Sequence, residues 1–353
     1  MAVSILARAE QAQDGLQPFS SRRHLRQVAD LVGAAFADEL DARGQSAVQE
    51  MRLVGRLSPW VGSLLDFTVF DDFISGYVWV ASGRVVGNLT LQRVELGGIR
   101  WRISNVAVTP EYRGRGIARA LLQAAIREIA RLGGSWAVLQ VRADNPIARR
   151  FYESAGFTDV CTDGIWKRPA PPAEAPHRKV HCVYSIPAVT QESTLCLLGK
   201  LPVGAWRMRY ELAQAAILPL ARWAGDITRA GFETSFSARL WEGLGNLTRL
   251  YRVERWGVWE NDVLMGMVET RSSGLGDRHT LRFIVHPKAQ GRLERALVTQ
   301  GLRCLVGAPG RPVIAEHSGD HAAGVEALEA AGFRAQRVLL TMRRRVTPMD
   351  VEF

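Results

Sequence analysis

The chain has 353 residues, 47% of them hydrophobic and 23% charged, an ordinary balance for globular protein and enough length for two domains with separate cores. The formal net charge of +10 raises the question of nucleic acid or acidic ligands. Lysine, however, occurs only at Lys167, Lys179, Lys200 and Lys288, and the arginines are spread along the chain with no aromatic-interleaved basic tract. That argues for a compositional bias toward arginine and against a nucleic-acid partner.

No apolar run is long enough to span a bilayer, which argues against a membrane partner. The opening MAVSILARAEQAQDG reaches Glu10 and Asp14 after a very short apolar stretch. That is a poor secretory signal, and the expectation is a cytoplasmic protein. Cys161, Cys182, Cys196 and Cys304 form no CxxC pair, so they read as reduced, incidental thiols rather than a metal or disulfide framework.

In chain order, Arg22 to Leu40 reads as an amphipathic helix whose apolar face is Leu25, Val28, Ala29, Leu31, Val32, Ala35 and Phe36. Ser46 to Leu57 reads as a second helix. YVWVASGRVVGNLTLQRV then gives two β-rich runs broken at Ser82-Gly83-Arg84, a hairpin signal. A third strand runs from Trp101 to Thr109 and stops at Pro110. After RGRGIARALL, which opens a helix, another strand spans Trp136 to Arg142, and a right-handed crossover makes these two strands parallel neighbours. A short helix starts near Asn145-Pro146 and ends at Gly156. The strand-like runs TDVCTDGIW and VHCVYSI follow, with the proline-rich KRPAPPAEAPHRK between them as an exposed loop.

The order then repeats. SAGFTDV has a partner in AAGFRAQ, with Phe157 and Phe333 176 apart; AVTPEYRGRG has one in IVHPKAQGR, with Pro110 and Pro287 177 apart. Two landmarks in the same order predict an internal duplication, with its boundary between Pro187 and Pro202. The expected domains are 1–190 and 200–345, followed by a tail at 346–353.

A helix that opens with RGRG weakens itself and crowds like charges, so the arrangement needs a reason. A helix start presents backbone N–H groups and the positive end of the dipole, and glycines let a bulky anion approach them. Strand, glycine-rich turn and helix together make a phosphate cradle, to which Arg113, Arg115 and Arg119 add attraction. The other reading of the turn alone is a flexible loop with a solvated basic edge. Beyond it, Ile117, Leu121, Leu122, Ala125 and Ile129 face a core, and Arg119, Gln123, Arg127 and Arg131 form a polar stripe.

The stretch ISNVAVTPEYRGRGIARALLQAAI … WAVLQVRADNPIARRFYESAGF, some 55 residues over 103–157, resembles the GCN5-related N-acetyltransferase (GNAT) superfamily. The family's motif Gln/Arg-x-x-Gly-x-Gly/Ala reads here Arg113-Gly114-Arg115-Gly116-Ile117-Ala118. The resemblance implies an α/β (α+β) fold of two GNAT-like domains. Each would hold a mixed, mostly antiparallel sheet with a splayed parallel strand pair and flanking helices. It also implies acetyl-CoA, or another acyl-CoA, as cosubstrate, with no metal. By that resemblance the backbone of Arg113, Gly114, Arg115, Gly116, Ile117 and Ala118 holds the CoA pyrophosphate, and Val106 and Val108 offer backbone contacts to the pantetheine arm. Asn145 stays open between an N-cap and a pantetheine contact.

An amine that attacks a thioester must lose a proton, the oxyanion needs N–H donors, and the departing thiolate benefits from an acid. Tyr152 stands where many GNAT members carry that acid; its other reading is a half-buried aromatic. The base is not evident. SNVAV and LQVRADN resemble ribosomal-protein N-terminal acetyltransferases, which carry a glutamate where this chain has Gln140. A second GNAT base position matches Arg102. A glutamine takes no proton at neutral pH, which leaves a water held by Ser104, Asn105 or Gln140, or a carboxylate such as Glu95.

In the second copy the turn reads Gln290-Gly291-Arg292-Leu293-Glu294; Leu328 falls at the place of Tyr152 and His321 at that of Asn145. That predicts a degenerate copy without chemistry. His279, His286, His317 and His321 look too scattered for a metal site. The expected function is transfer of an acetyl group to an amine-bearing small molecule or peptide. The alternative is an acyl-CoA-binding sensor without turnover.

Overall fold

The computed structural model describes residues 14–37, 49, 75–94, 98–170, 197–202, 204–217, 232, 251–274 and 276–351. The expected helix over 46–57 and the strand VHCVYSI lie outside them, except for Gln49, which is helical. The chain forms two compact units: 1–140 with 153–158 and 342–353, and 141–152 with 159–341. The units therefore interleave along the sequence instead of following a single cut near residue 190.

In the first unit, β1 (Gly15–Pro18), α1 (Ser21–Ala35), β2 (Ser75–Ala81), β3 (Arg84–Arg93) and β4 (Arg100–Val108) precede α2 (Ile117–Arg131) and the start of β5 (Trp136–Arg142). Strands β1 to β4 pair antiparallel in sequence order, and β4 pairs β5 in parallel from Arg100↔Trp136 to Ile103↔Leu139. The β2–β3 hairpin turns through Ser82 and Gly83, both at positive φ, as a two-residue connection between right-twisted strands requires. Asp14 holds that turn by accepting from the Ser82 N–H at 2.9 Å. Helix α1 buries Val28, Leu31 and Val32 against Val78, Val80 and Val85 of the hairpin. Helix α2 seats Ile117 and Leu121 over Gly87 of β3, where a Cβ would meet Ile117 Cγ2 at 2.9 Å.

The second unit holds most of α3 (Pro146–Ser154) and of β6 (Thr158–Arg168), then β7 (Leu197–Lys200), α4 (Trp206–Ala216), β8 (Tyr251–Glu260), β9 (Val263–Ser273), β10 (His279–Val285), α5 (Glu294–Cys304), β11 (Val313–Ser318), α6 (Ala322–Ala330) and β12 (Arg334–Arg345) up to Thr341. Strands β7 to β10 pair antiparallel, β10 pairs β11 in parallel, and β11 pairs β6 antiparallel. The duplication is thus visible in the fold: β4–α2–β5 has its counterpart in β10–α5–β11. The second hairpin turns through Asn261 and Asp262, again both at positive φ. The proline-rich loop begins later than its sequence suggested, because Lys167 and Arg168 still belong to β6.

The C-terminal segment, which the sequence presents as a tail, folds with the first unit. Val346 donates its N–H to the Ser135 carbonyl at 2.8 Å, the Arg343 guanidinium lies 4.8 Å from the centre of the Trp136 ring, and a 3-10 turn at Pro348–Val351 packs on α2. Met342 and Val346 are buried. Removing residues 342–353 is expected to cost the first unit about 3–5 kcal/mol, from two buried side chains at about 1.5–3 kcal/mol each. Hydrogen exchange in α2 and β5 measures this; unchanged protection after the deletion would refute it.

Candidate functional site

The turn before α2 is built from its own backbone. Gly114 and Gly116 have φ of 74° and 78°, and a Cβ on either would meet nothing within 4 Å, so the outer face of the turn is open. Gly116 is the N-cap of α2, no side chain caps the helix, and its first turn carries no acidic residue. The Ala120 N–H closes the first helical bond on the Gly116 carbonyl at 3.0 Å, so the amides of Ile117, Ala118 and Arg119 precede the ladder and point outward from the helix end. Two arginines brace the turn. Arg113 Nε donates to the Val108 carbonyl at 3.1 Å, and Arg115 Nη2 donates to the Glu111 carbonyl at 2.9 Å while lying over the Tyr112 ring. The positive charge stays at the turn, held by carbonyls and not cancelled by carboxylates.

The strand that leads into this turn contains a β-bulge. Asn88 faces Ala107 and Thr90 faces Ser104, so Leu89 opposes both Asn105 and Val106. Asn105 takes up the extra residue at φ 52°, a left-handed conformation that asparagine tolerates. The parallel ladder with β5 ends at Ile103↔Leu139, so beyond it β4 is laddered only to β3 within the first unit. Val106 and Val108 lie on this stretch, half-buried, with Ala107 buried between them. The Asn105 carbonyl accepts from Asn88 Nδ2 at 3.0 Å. In a trans peptide the C=O and the next N–H point in opposite directions, so the Val106 N–H is aimed away from β3, toward the edge where the parallel pairing has stopped.

Asn145 and Tyr152 belong to the second unit. Asn145 Oδ1 accepts from the Ala148 N–H at 3.0 Å, the geometry of an N-cap on α3. Tyr152 is the one buried residue of that helix, 8% exposed, with Phe151 edge-on at 5.1 Å. Burial pushes its phenol up to about 12, so it stays protonated at neutral pH. Among the base candidates, Gln140, Arg102 and Asn105 are exposed, Ser104 is half-buried, and Glu95 lies outside the described residues.

The second copy of the turn is closed by its own carboxylate. The Gly291 N–H donates to Glu294 Oε1 at 2.8 Å, and the same oxygen receives His321 Nε2 at 2.9 Å. Glu294 is 2% exposed. Burial opposes its ionisation, but hydrogen bonds from His321, its own backbone N–H and Gly291 outweigh that, and its pKa is lowered. His321 Nδ1 lies 3.0 Å from His317 Nε2, and His317 stacks on Phe283 at 4.1 Å. The histidines at 317 and 321, scattered in the sequence, therefore meet in space. They form a hydrogen-bonded Glu–His–His chain, and among the described residues no group of side chains is arranged to hold a metal ion. Gly324 makes room for the pair, since a Cβ there would stand 2.0 Å from His317 Nε2. The sequence reading missed this glycine; with two histidines at four-residue spacing, it was the available signal.

Burial, then the neighbouring His321, pushes the His317 imidazole down to about 3. Between pH 6.5 and 3 the unfolded chain binds a proton that the folded one refuses, so stability rises with pH across that window. Acidification from pH 7 to 5 is expected to cost the second unit about 2 kcal/mol through this group. Glu294, held below its usual value, adds a loss in the same direction only at lower pH. Urea unfolding at the two pH values, followed by hydrogen exchange in β10 and β11, measures the effect. His317→Asn should flatten the slope, and an unchanged slope would exclude His317 as its source.

Residues 45–157 match the family described as the acetyltransferase (GNAT) family. The mycothiol acetyltransferase of Nocardiopsis dassonvillei is 40% identical over 72 residues, 20% of this chain and 22% of that protein. The ribosomal protein bS18 alanine N-acetyltransferase of Escherichia coli is 44% identical over 56 residues, 16% of this chain and 38% of that enzyme. The chain thus matches less than two-fifths of the length of either relative. Among solved structures, a tandem GNAT protein from the clavulanic acid biosynthesis pathway superposes with a TM-score of 0.51 at 18% identity, over 94% of this chain and 98% of that one, a likeness of fold. Motif, matched segment and duplicated architecture agree: the chain carries a domain of the acetyltransferase (GNAT) family, within a tandem of two such folds.

Proposed function

We propose that the chain is an N-acyltransferase that moves an acetyl group from acetyl-CoA to a primary amine of a small molecule or peptide. The observation that supports this most is the open turn at Gly114 and Gly116, with unladdered amides and uncancelled arginine charge at a helix start. In this reading the backbone of Arg113, Gly114, Arg115, Gly116, Ile117 and Ala118 holds the pyrophosphate. Val106 and Val108 meet the pantetheine arm through their backbone; because the Val108 carbonyl already accepts from Arg113, its N–H is the group left to contribute. The Val106 N–H points at the place of the thioester oxygen and stabilises the oxyanion as the tetrahedral intermediate forms. Asn145 spends Oδ1 on its helix and would meet pantetheine only through Nδ2. Tyr152 donates toward the departing thiolate sulfur.

The proton of the attacking amine leaves through water, because Gln140 and Arg102 occupy the places where carboxylate bases would stand. The relatives bracket the acceptor: one is named for a ribosomal-protein alanine, the other for mycothiol. No helix among the described residues is long and apolar enough to cross a membrane, and we place the reaction in the cytoplasm. The missing carboxylate favours a second reading, an acyl-CoA-binding regulatory protein. Acetyl-CoA turnover against a panel of amines and peptides, with binding measured beside it by calorimetry, decides between them. Turnover with any acceptor supports the transferase; tight binding with no turnover across the panel supports the sensor.

A further inference from the structure

We propose that Asn88 and Asn105 are positioning residues that lock the bulge of β4 and thereby aim the Val106 N–H at the acyl carbonyl. The proposal rests on the acyltransfer reading above. A bulge removes one ladder bond and leaves a backbone carbonyl to be satisfied. Here that carbonyl belongs to Asn105, and a side chain of the neighbouring strand replaces the missing bond: Asn88 Nδ2 donates to it at 3.0 Å. Asn88 is 1% exposed, so its amide is an expensive group to bury unless it is engaged. Asn105 completes the clamp, donating through Nδ2 to Thr90 Oγ1 at 3.3 Å. The strand-to-strand register cannot slip to relieve it, because Leu89, the residue opposite the bulge, is fully buried and a slip would turn it outward.

The functional consequence follows from peptide planarity. The Asn105 carbonyl and the Val106 N–H share one rigid plane and point opposite ways. Fixing the carbonyl on Asn88 therefore fixes the direction of the donor, at no reorganisation cost when negative charge develops on the acyl oxygen. With Asn88 shortened, the left-handed residue has little to hold it, and the plane is free to rotate by tens of degrees. A misaimed donor loses part of the value of an oxyanion contact, whose complete removal costs about 10²–10³ in kcat.

The test uses the full chain with Asn88→Ala and Thr90→Val. Asn88→Ala is expected to lower kcat by about tenfold to a hundredfold, and Thr90→Val by less, while KM for acetyl-CoA stays within about threefold. A purely structural role would lower thermal stability and leave kcat of the folded protein unchanged; kcat within twofold of wild type for folded Asn88→Ala overturns the proposal. A second readout needs no turnover. Bound acetyl-CoA carrying 13C at the acetyl carbonyl should show a hydrogen-bonded carbonyl resonance in wild type that moves toward its free value in Asn88→Ala. An identical resonance in the two proteins also overturns the clamp. Wild-type protein that binds acetyl-CoA but acylates no amine refutes the transferase reading, and the carbonyl shift then decides the clamp separately. Absence of acetyl-CoA binding overturns both.

Discussion

Gly116→Glu abolishes acyl-CoA binding, with an expected loss of about 3–4 kcal/mol, or two to three decades in Kd. Crowding is not the cause, because a Cβ at this place meets nothing within 4 Å. Two electrostatic effects carry it. The wild-type helix start offers amides and dipole to a phosphate, and the variant sets a carboxylate against the same groups, so attraction is lost and like-charge repulsion is added. The chain already contains this arrangement in its second copy, where Glu294 sits on the Gly291 N–H at 2.8 Å. Gly116→Ala separates the terms. It bears the backbone strain of a side chain at φ 78°, about 1–2 kcal/mol, without the charge, and should weaken binding far less. The same logic predicts one acyl-CoA per wild-type chain. Calorimetry that finds two equivalent sites, or Gly116→Glu protein that binds like wild type, refutes the assignment of the turn.

Sequence periodicity and turn chemistry carried most of the architecture. Ser82-Gly83 announced a hairpin because both positions need positive φ, and the crossover rule made β4 and β5 parallel. The damaged second turn was also legible, since Glu294 brought charge to a phosphate place. What stayed hidden depends on long-range pairing. A bulge leaves no trace in a period-two pattern, so Asn105 looked like a polar residue available to hold water, and Asn88 carried no signal as a buried donor. The meeting of Glu294, His321 and His317 joins a helix start, a helix cap and a strand end, and only the chain reversal between α5 and β11 brings them together. The return of residues 342–353 to the first unit is of the same kind: a linear repeat shows that two copies exist, not which copy receives the last strand.

Tyr152→Phe is expected to lower kcat by about a hundredfold and leave acetyl-CoA affinity nearly unchanged. General acid catalysis spans about 10²–10⁴, and the lower end applies here. A phenol held at about 12 stays protonated throughout the working range, but it is a weak acid beside a thiol near 8.5. It therefore stabilises the departing thiolate chiefly by donating a hydrogen bond, with proton transfer completed late. The same shift fixes the pH dependence. A general acid is lost as pH rises through its pKa, so Tyr152 should impose no fall in kcat below about pH 10. Any limb at lower pH then belongs to loss of the amine proton, and Gln140→Glu, which supplies a carboxylate, should move that limb to lower pH. Removing a hydroxyl from a buried ring also perturbs packing, so stability must be followed beside rate. A drop in kcat at unchanged melting temperature marks chemistry, and a drop in both marks the fold. The role fails if Tyr152→Phe retains wild-type kcat with the best acceptor while chemistry is shown to limit the rate, because slow product release hides the loss of an acid.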